Sequence, residues 1–438
     1  MKSSLLLLQL NEINFDIVDK YLANSKNNEF LNLKYLKNNF KFFHTFGEGK
    51  YKNLEPWIQW TSVNLGKTFD EHKIFRLGDI IKHSSQKQIF ETIEEKGFKV
   101  GAICPMNTEN RLVNPSYFIP DPWTETSSDN SKFSNRLSKM LKQSVNDNAA
   151  GKLTLSSILT ILEILIKTID FKNTYFLIKL ALSSIINPWK KSLVLDYIIH
   201  MVHMKFLKKN FSNFSTIFFN AGAHIQHHYL FNSKYINEVS KNPDWYVKSI
   251  SDPIEDMLQV YDRIIGNYLK ILNGENKLIV STGLRQVPYK MVKFYYRLKQ
   301  HSSFLKKIGV KFAKVLPRMT RDFEIIFENE HDQRNAKIIL QNIKCLNNNL
   351  NIFGEIEDRN KSLFVTLNYP NEVKKNDYIK INSELKLNFY NEIVFVAIKN
   401  GMHDSKGYVF CSLNSGFKTP SEPIHVSKLH DIILDFFN

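Results

Sequence analysis

At 438 residues, with 43% hydrophobic residues, 33 Phe and 18 Tyr, the chain is long enough for one large α/β domain with insertions and too apolar to be disordered. Three scattered cysteines, Cys104, Cys345 and Cys411, exclude a disulfide framework or a thiolate zinc cluster and point to a reducing, cytoplasmic setting. The net charge of +16 is dispersed without an Arg block, which speaks against a nucleic-acid partner and favours an anionic substrate or an acidic membrane surface.

The amino terminus carries Leu5-Leu6-Leu7-Leu8, an apolar run too short for a signal peptide and followed by Gln9, Asn11 and Glu12. It reads as a buried strand, Leu5–Leu10, ending at Asn11-Glu12-Ile13-Asn14. Helical patterns follow over Asp16–Ala23, Leu31–Asn39, Pro56–Leu65 and Gln88–Lys96, the last closed by Gly97 before a strand over Lys99–Ile103. Residues 126–212 change character. Leu153–Thr168, Asn173–Ile186 and Leu193–Lys208 are Leu- and Ile-rich helical patterns, interrupted by charges before any reaches the ~18 apolar residues of a spanning helix. This reads as a helical insertion that caps the core or binds a partner, with membrane-surface contact as an alternative. His200 and His203, one turn apart within it, read as structural.

Strand patterns resume at Thr216–Phe219 and Lys277–Ser281, with a helix over Asp256–Leu272 between them. Residues 290–392 mix helix (Asn335–Ile343) and strands (Phe323–Phe327, Ser362–Leu367) as a smaller α+β subdomain. Ile393–Ile398 reads as the strand returning to the core, followed by a turn over Asn400–Gly407 and a closing helix over Val426–Phe437. The expected division is therefore 1–125 and 213–289 for the two parts of the core, 126–212 and 290–392 for the insertions, and 393–438 for the return.

Four polar clusters fall where strands end or helices begin: Glu12 with its two asparagines, Glu55 through Thr61, Asn220 through His228, and His403. In a parallel sheet the carboxyl ends of strands converge on one edge, so residues far apart in the chain can share one site there. The densest cluster holds His224, His227 and His228 directly after an apolar strand. Such a cluster is either a metal or catalytic site or one turn of helix with scattered histidines. His228 lies one turn on from His224 and can share its face, whereas His227 is expected to point elsewhere. Glu12 reads either as a ligand or general base or as the cap of a helix starting near Asn14. Glu55 precedes Pro56 at a helix start, where it can cap the helix or act in a site. Of Trp57 and Trp60, one suits the core and the other could stack on a sugar or base. Arg285 with Gln286 follows the strand Lys277–Ser281 and suits either an anion clamp or a surface ion pair.

The order of these elements resembles the alkaline phosphatase superfamily, especially its type I phosphodiesterase/nucleotide pyrophosphatase and sulfatase-like branch. Glu12 matches the acidic ligand after the first strand. Gly66 through Ile74 resembles the ending of the nucleophile segment. Asn220, His224 and His228 resemble the Asp-x-x-x-His pair and a following His, and Gly401-Met402-His403 resembles the late Gly-x-His turn. The departures are equally specific. Pro56 falls where a hydroxyl or thiol nucleophile is expected, Thr282-Gly283 replaces an Asp-His pair, and Asn220 replaces an Asp.

The resemblance implies an α/β fold with a three-layer core, a mainly parallel sheet and the two insertions. It implies a single divalent metal, with Zn foremost and Mn, Mg or Ca as alternatives, held by His224, His403 and a donor from Asn220, Glu12 or His228. Glu55, as base or nucleophile, or a metal-bound water would stand in for the missing nucleophile, with Gln59 as a further catalytic candidate, and Arg285 would hold the anion. Trp57, Asn14, Gln226 and Gln286 would line the substrate site. The expected function is an atypical hydrolase or transferase of a phosphate or sulfate ester, of a nucleotide, sugar or glycan. The alternative is a catalytically silent member that binds an anionic glycan, lipid head group or protein partner, or serves in cell-surface polysaccharide assembly.

Overall fold

The structure, a computed structural model, describes residues 4–146, 163, 171–236, 241–272, 275–318, 321–382, 385–412 and 418–438. The helix expected over Leu153–Thr168 lies outside the described residues apart from Glu163. The chain divides into two compact units. The first contains residues 1–237, 248–288 and 401–438, and the second contains residues 238–247 and 289–400.

The first unit is built on an eight-stranded sheet of β1 (Ser4–Leu10), β2 (Lys41–Phe46), β3 (Val100–Ile103), β4 (Tyr117–Ile119), β5 (Phe214–Phe219), β6 (Asn276–Ser281), β7 (Lys406–Cys411) and β8 (Ile424–His425). Their spatial order is β8-β2-β7-β6-β1-β5-β3-β4. Every pairing is parallel except those of β7, which runs against β2 and β6. β1 is flanked by β5 and β6 and buried along its whole length. A strand covered on both faces reads as an unbroken apolar run, which is why Leu5 through Leu8 show no alternation.

Four helices bear on the site: α1 (Phe15–Asn24), α2 (Pro56–Leu65), α3 (Lys190–Lys209) and α4 (Ala221–Tyr229). Asn14 caps α1, its side chain accepting from the Asp16 amide at 3.0 Å. Pro56 occupies the first turn of α2, where the missing N–H costs nothing.

The return to the core falls later than expected. Ile393–Asp404 forms a two-stranded ribbon with Arg285–Leu298, and the strand that re-enters the large sheet is β7, after the bend at Ser405. Burial separates the two. Ile393–Asp404 is only intermittently buried, whereas β7 after Lys406 is buried throughout, as an inner strand must be. The expected turn over Asn400–Gly407 is thus mostly strand. The closing helix is also shorter, running over Leu429–Asp435 after a single 3₁₀ turn.

The second unit holds a four-stranded antiparallel sheet ordered Phe353–Arg359, Ser362–Leu367, Asp322–Ile326 and Lys314–Pro317, with the helix Glu330–Asn342 and a small three-stranded sheet. Its own core includes Phe304, Phe323, Leu340, Leu363 and Phe389. Among the described residues no helix is long and apolar enough to cross a membrane.

Candidate metal centre

The carboxyl ends of β1, β5 and β6 meet at one edge of the sheet. Because β7 is antiparallel to them, it is the amino end of β7, and the residues just before it, that reaches the same edge. Topology therefore gathers Glu12 after β1, Asn220 and α4 after β5, Thr282 after β6, and His403 before β7.

Glu12 sits at the centre of this edge. Its backbone is left-handed, with φ of 61°, and its amide donates to the Thr282 carbonyl at 3.0 Å. A non-glycine residue held in this region is strained, and such strain concentrates at functional sites. The side chain is 1% exposed. Burial alone raises a carboxyl pKa, but His403 and His227 outweigh it and hold Glu12 well below the usual carboxylate range. Glu12 Oε2 lies 3.1 Å from His403 Nε2 and 3.2 Å from His227 Nε2, and these two nitrogens are 3.2 Å apart. Among the described residues these are the one group of three His, Cys, Asp or Glu side chains whose donor atoms lie within 4.8 Å of one another.

The outer faces of the two rings are held as well. His227 Nδ1 is 3.1 Å from the Gly401 carbonyl, to which only an N–H can donate. His403 Nδ1 is 3.6 Å from Glu55 Oε2. With its proton on Nδ1, as the Gly401 carbonyl requires, a neutral His227 turns its Nε2 lone pair toward Glu12 and His403. Three atoms this close are held together either by protons on the rings, as the lowered Glu12 pKa reflects, or by one cation shared among them. Ligand atoms ~2.0–2.1 Å from a tetrahedral zinc are about 3.3–3.4 Å apart, close to the spacing here, so Glu12, His227 and His403 are the residues that would hold such an ion. Partners at the outer ring nitrogens are what orient imidazole ligands in metal sites.

The surrounding polar groups fix Glu12. Gln286 Nε2 donates to Glu12 Oε2 at 2.5 Å and to the Ala223 carbonyl. Asn11 Nδ2 donates to Glu12 Oε1 and to Asn220 Oδ1, while its own oxygen accepts from the buried Trp60 indole at 2.9 Å. Gln226 Nε2 donates to the Glu12 carbonyl, and its oxygen accepts from the Asn14 amide. Asn14 Nδ2 donates to the Gln286 carbonyl. Asn14, Gln226 and Gln286, expected to line the substrate site, thus tie the loop after β1 to α4 and to the strand after β6. The cap of α1 is Asn14, so the capping alternative for Glu12 falls away.

His227 corrects the expectation that it points elsewhere. It faces Glu12 because the chain before β7 passes beside the last turn of α4. Gly401 permits that approach: a Cβ there would come within 2.1 Å of Gln286 Oε1 and 2.8 Å of the Gln226 carbonyl oxygen. The structure does not bring His224, His228 or Asn220 into the donor group. The His224 and His228 rings pack edge to face on each other, with centroids 4.8 Å apart. Asn220 offers its backbone amide to Asp196 and its side-chain oxygen to Asn11.

Arg285 makes ion pairs, the other reading of its position. Its guanidinium donates to Asp404 at 2.7 Å, to Tyr408 at 3.1 Å and to Asp16. Gln59 is buried and donates to the Asn53 carbonyl, away from the triad. Trp60 belongs to the core, and the Trp57 indole donates to the Phe75 carbonyl at 3.0 Å. Glu55, about one-third exposed, faces His403 Nδ1 at 3.6 Å.

Asp196 was legible only as a charge interrupting an apolar helix. It accepts from the Ala221 amide at 2.9 Å and the Asn220 amide at 3.3 Å, and from the Tyr261 hydroxyl at 2.7 Å. It therefore anchors the start of α4, where a helix dipole favours an anion. Its burial raises its pKa to about 7 against these hydrogen bonds.

No family model and no curated protein matches the chain. Solved structures similar to it include murine ectonucleotide pyrophosphatase/phosphodiesterase 5, in an inactive form with AMP, at 11% identity and a TM-score of 0.44 over 100% of this chain and 95% of that one. Phosphonoacetate hydrolase from Sinorhizobium meliloti, in complex with phosphonoacetate, is 10% identical with a TM-score of 0.41 over 100% and 96%. Alkaline phosphatase from the Antarctic bacterium TAB5 is 10% identical with a TM-score of 0.41 over 100% of both chains. All three are members of the alkaline phosphatase superfamily, whose motif order the sequence resembles. These likenesses assign no role to any residue of this chain.

Proposed function

We propose that Glu12, His227 and His403 hold one divalent metal ion and that the protein is a hydrolase or transferase of phosphate or sulfate esters. The observation that carries the reading is the convergence of one carboxylate oxygen and two imidazole nitrogens at 3.1–3.2 Å from one another, with His227 Nδ1 on the Gly401 carbonyl and His403 Nδ1 facing Glu55 at 3.6 Å. One carboxylate and two imidazoles suit zinc first, with manganese as the next choice. Such an ion, when bound, supplies Lewis-acid polarisation of an ester oxygen and a lowered pKa for a coordinated water.

The chain's own residues have distinct parts in this reading. Gln286 and Asn11 hold Glu12 in place, and Gly401 holds the His227 ring. Glu55, facing His403 and partly exposed, orients that ring and can also take a proton from a reacting group. Metal analysis of the purified full-length chain tests the reading, alongside Glu12→Gln and His403→Ala and turnover of aryl phosphate, phosphodiester and sulfate esters. One equivalent of metal, lost in both variants together with turnover, is the expected result. No stoichiometric metal in the wild-type chain, after reconstitution with each candidate ion, overturns it.

The second reading is a catalytically silent binder of an anionic ligand. Proline stands at position 56, where the resemblance puts a nucleophile, and the Arg285 guanidinium is engaged by carboxylates, which favours this alternative. Stoichiometric metal without turnover of any ester would select it.

A further inference from the structure

The helix Phe171–Ile186 carries two apolar faces, and among the described residues only one of them is packed. Leu177, Leu180 and Ser184 are buried on the side of α3, and the Phe176 ring packs at a tilt against Tyr197 with centroids 4.9 Å apart. On the opposite side, Phe171, Tyr175, Ile178, Leu182, Ile185 and Ile186 are 48–87% exposed. Steps of three and four residues place them in one stripe about 100° wide. Isolated exposed apolar residues need no explanation, but a continuous stripe along four turns does.

The charge around the stripe says what fits it. Lys172 and Lys179 lie along its edge, both exposed, and the helix has no acidic residue in a chain of net charge +16. An apolar face bordered by lysines and containing Phe and Tyr matches a helix lying in the plane of a lipid interface. Sixteen residues give only ~24 Å of helix, too short to span a bilayer. A second copy of the chain fits less well. Pairing would bring the lysine edges of two like-charged molecules together.

We infer that this stripe docks the protein on an anionic lipid surface, with the apolar side chains entering the acyl boundary and Lys172 and Lys179 meeting the head groups. The inference is independent of the metal reading.

Co-sedimentation of the full chain with phosphatidylcholine vesicles, with and without 30% phosphatidylglycerol, tests it. Binding is expected to the anionic vesicles only and to weaken with salt. The double variant Ile178→Asp/Leu182→Asp should lose at least tenfold in binding while its circular dichroism and thermal midpoint stay unchanged, since both side chains are exposed. Leu182→Cys gives a second readout. All three native cysteines are buried, so a bimane label goes to the new thiol and should shift to the blue with anionic vesicles. Three outcomes overturn the inference: equal binding by the double variant, a dimer that the double variant dissolves with no vesicle binding, or a bimane already blue-shifted without lipid, which would mean that protein covers the stripe.

Discussion

His227 Nε2 and His403 Nε2 lie 3.2 Å apart although 176 residues separate them in the chain. Their proximity follows from the one antiparallel strand of the large sheet, which brings the residues before β7 to the edge where α4 begins. Each outer nitrogen is engaged, one by the Gly401 carbonyl and the other by Glu55, so the pair presents its inner nitrogens to Glu12.

The three histidines of α4 are therefore not equivalent. His227→Ala should abolish stoichiometric metal binding, whereas His224→Ala and His228→Ala should leave the stoichiometry intact. Metal content after dialysis against a weak chelator separates them. Metal loss in His224→Ala with retention in His227→Ala would refute the assignment.

Glu55→Gln removes the charge facing His403 Nδ1 but leaves the three donors in place. Partners at this position typically change metal affinity or activity by about 10–100-fold. The expected result is a drop of that size in metal affinity, read by competition with a chromophoric chelator, without loss of fold. An unchanged affinity with lost turnover would instead make Glu55 a group that acts on substrate.

Arg285→Ala breaks contacts to Asp404, Tyr408 and Asp16. Stability should fall by about 1–3 kcal/mol, since partners of a partly buried cation are left unpaired. The KM for an anionic ester should change less than twofold. A selective rise in KM at unchanged stability would restore the anion-clamp role.

Gly401→Ala should loosen the metal site without unfolding the unit. A Cβ there meets the Gln226 carbonyl oxygen at 2.8 Å, and backbone yields less readily than the nearby Gln286 side chain. The displaced 401 carbonyl would release His227 Nδ1. Reduced metal affinity with a nearly unchanged circular dichroism spectrum is the expected signature.

His200 and His203 set an acid limit on stability. Burial lowers both to a pKa of about 3, helped by the charge of Arg263 at His200 and by His200 at His203. His203 is held neutral between the Tyr268 hydroxyl at 2.7 Å and Ser215 Oγ at 2.6 Å. With folded pKa values below the ordinary 6.5, their contribution is complete above that pH and declines as pH falls from 6.5 toward 3. Between pH 7.5 and 5 each should cost on the order of 2 kcal/mol. Urea titrations at the two pH values check this, and His200→Gln should reduce the difference.

The sequence by itself determined the central strands, because β1, β5 and β6 are covered on both faces and leave unbroken apolar runs. It also determined which strand ends carry polar groups, since Glu12, the α4 histidines and His403 stand out against those runs. It did not determine which histidine faces inward. Spacing along α4 treats His224, His227 and His228 as neighbours on adjacent faces, and only the chain passing at Gly401 selects His227. The sequence left Arg285 open between an anion clamp and an ion pair because its partners, Asp16 and Asp404, lie 269 and 119 residues away. Those choices belong to the tertiary structure, where one antiparallel strand decides what reaches the site.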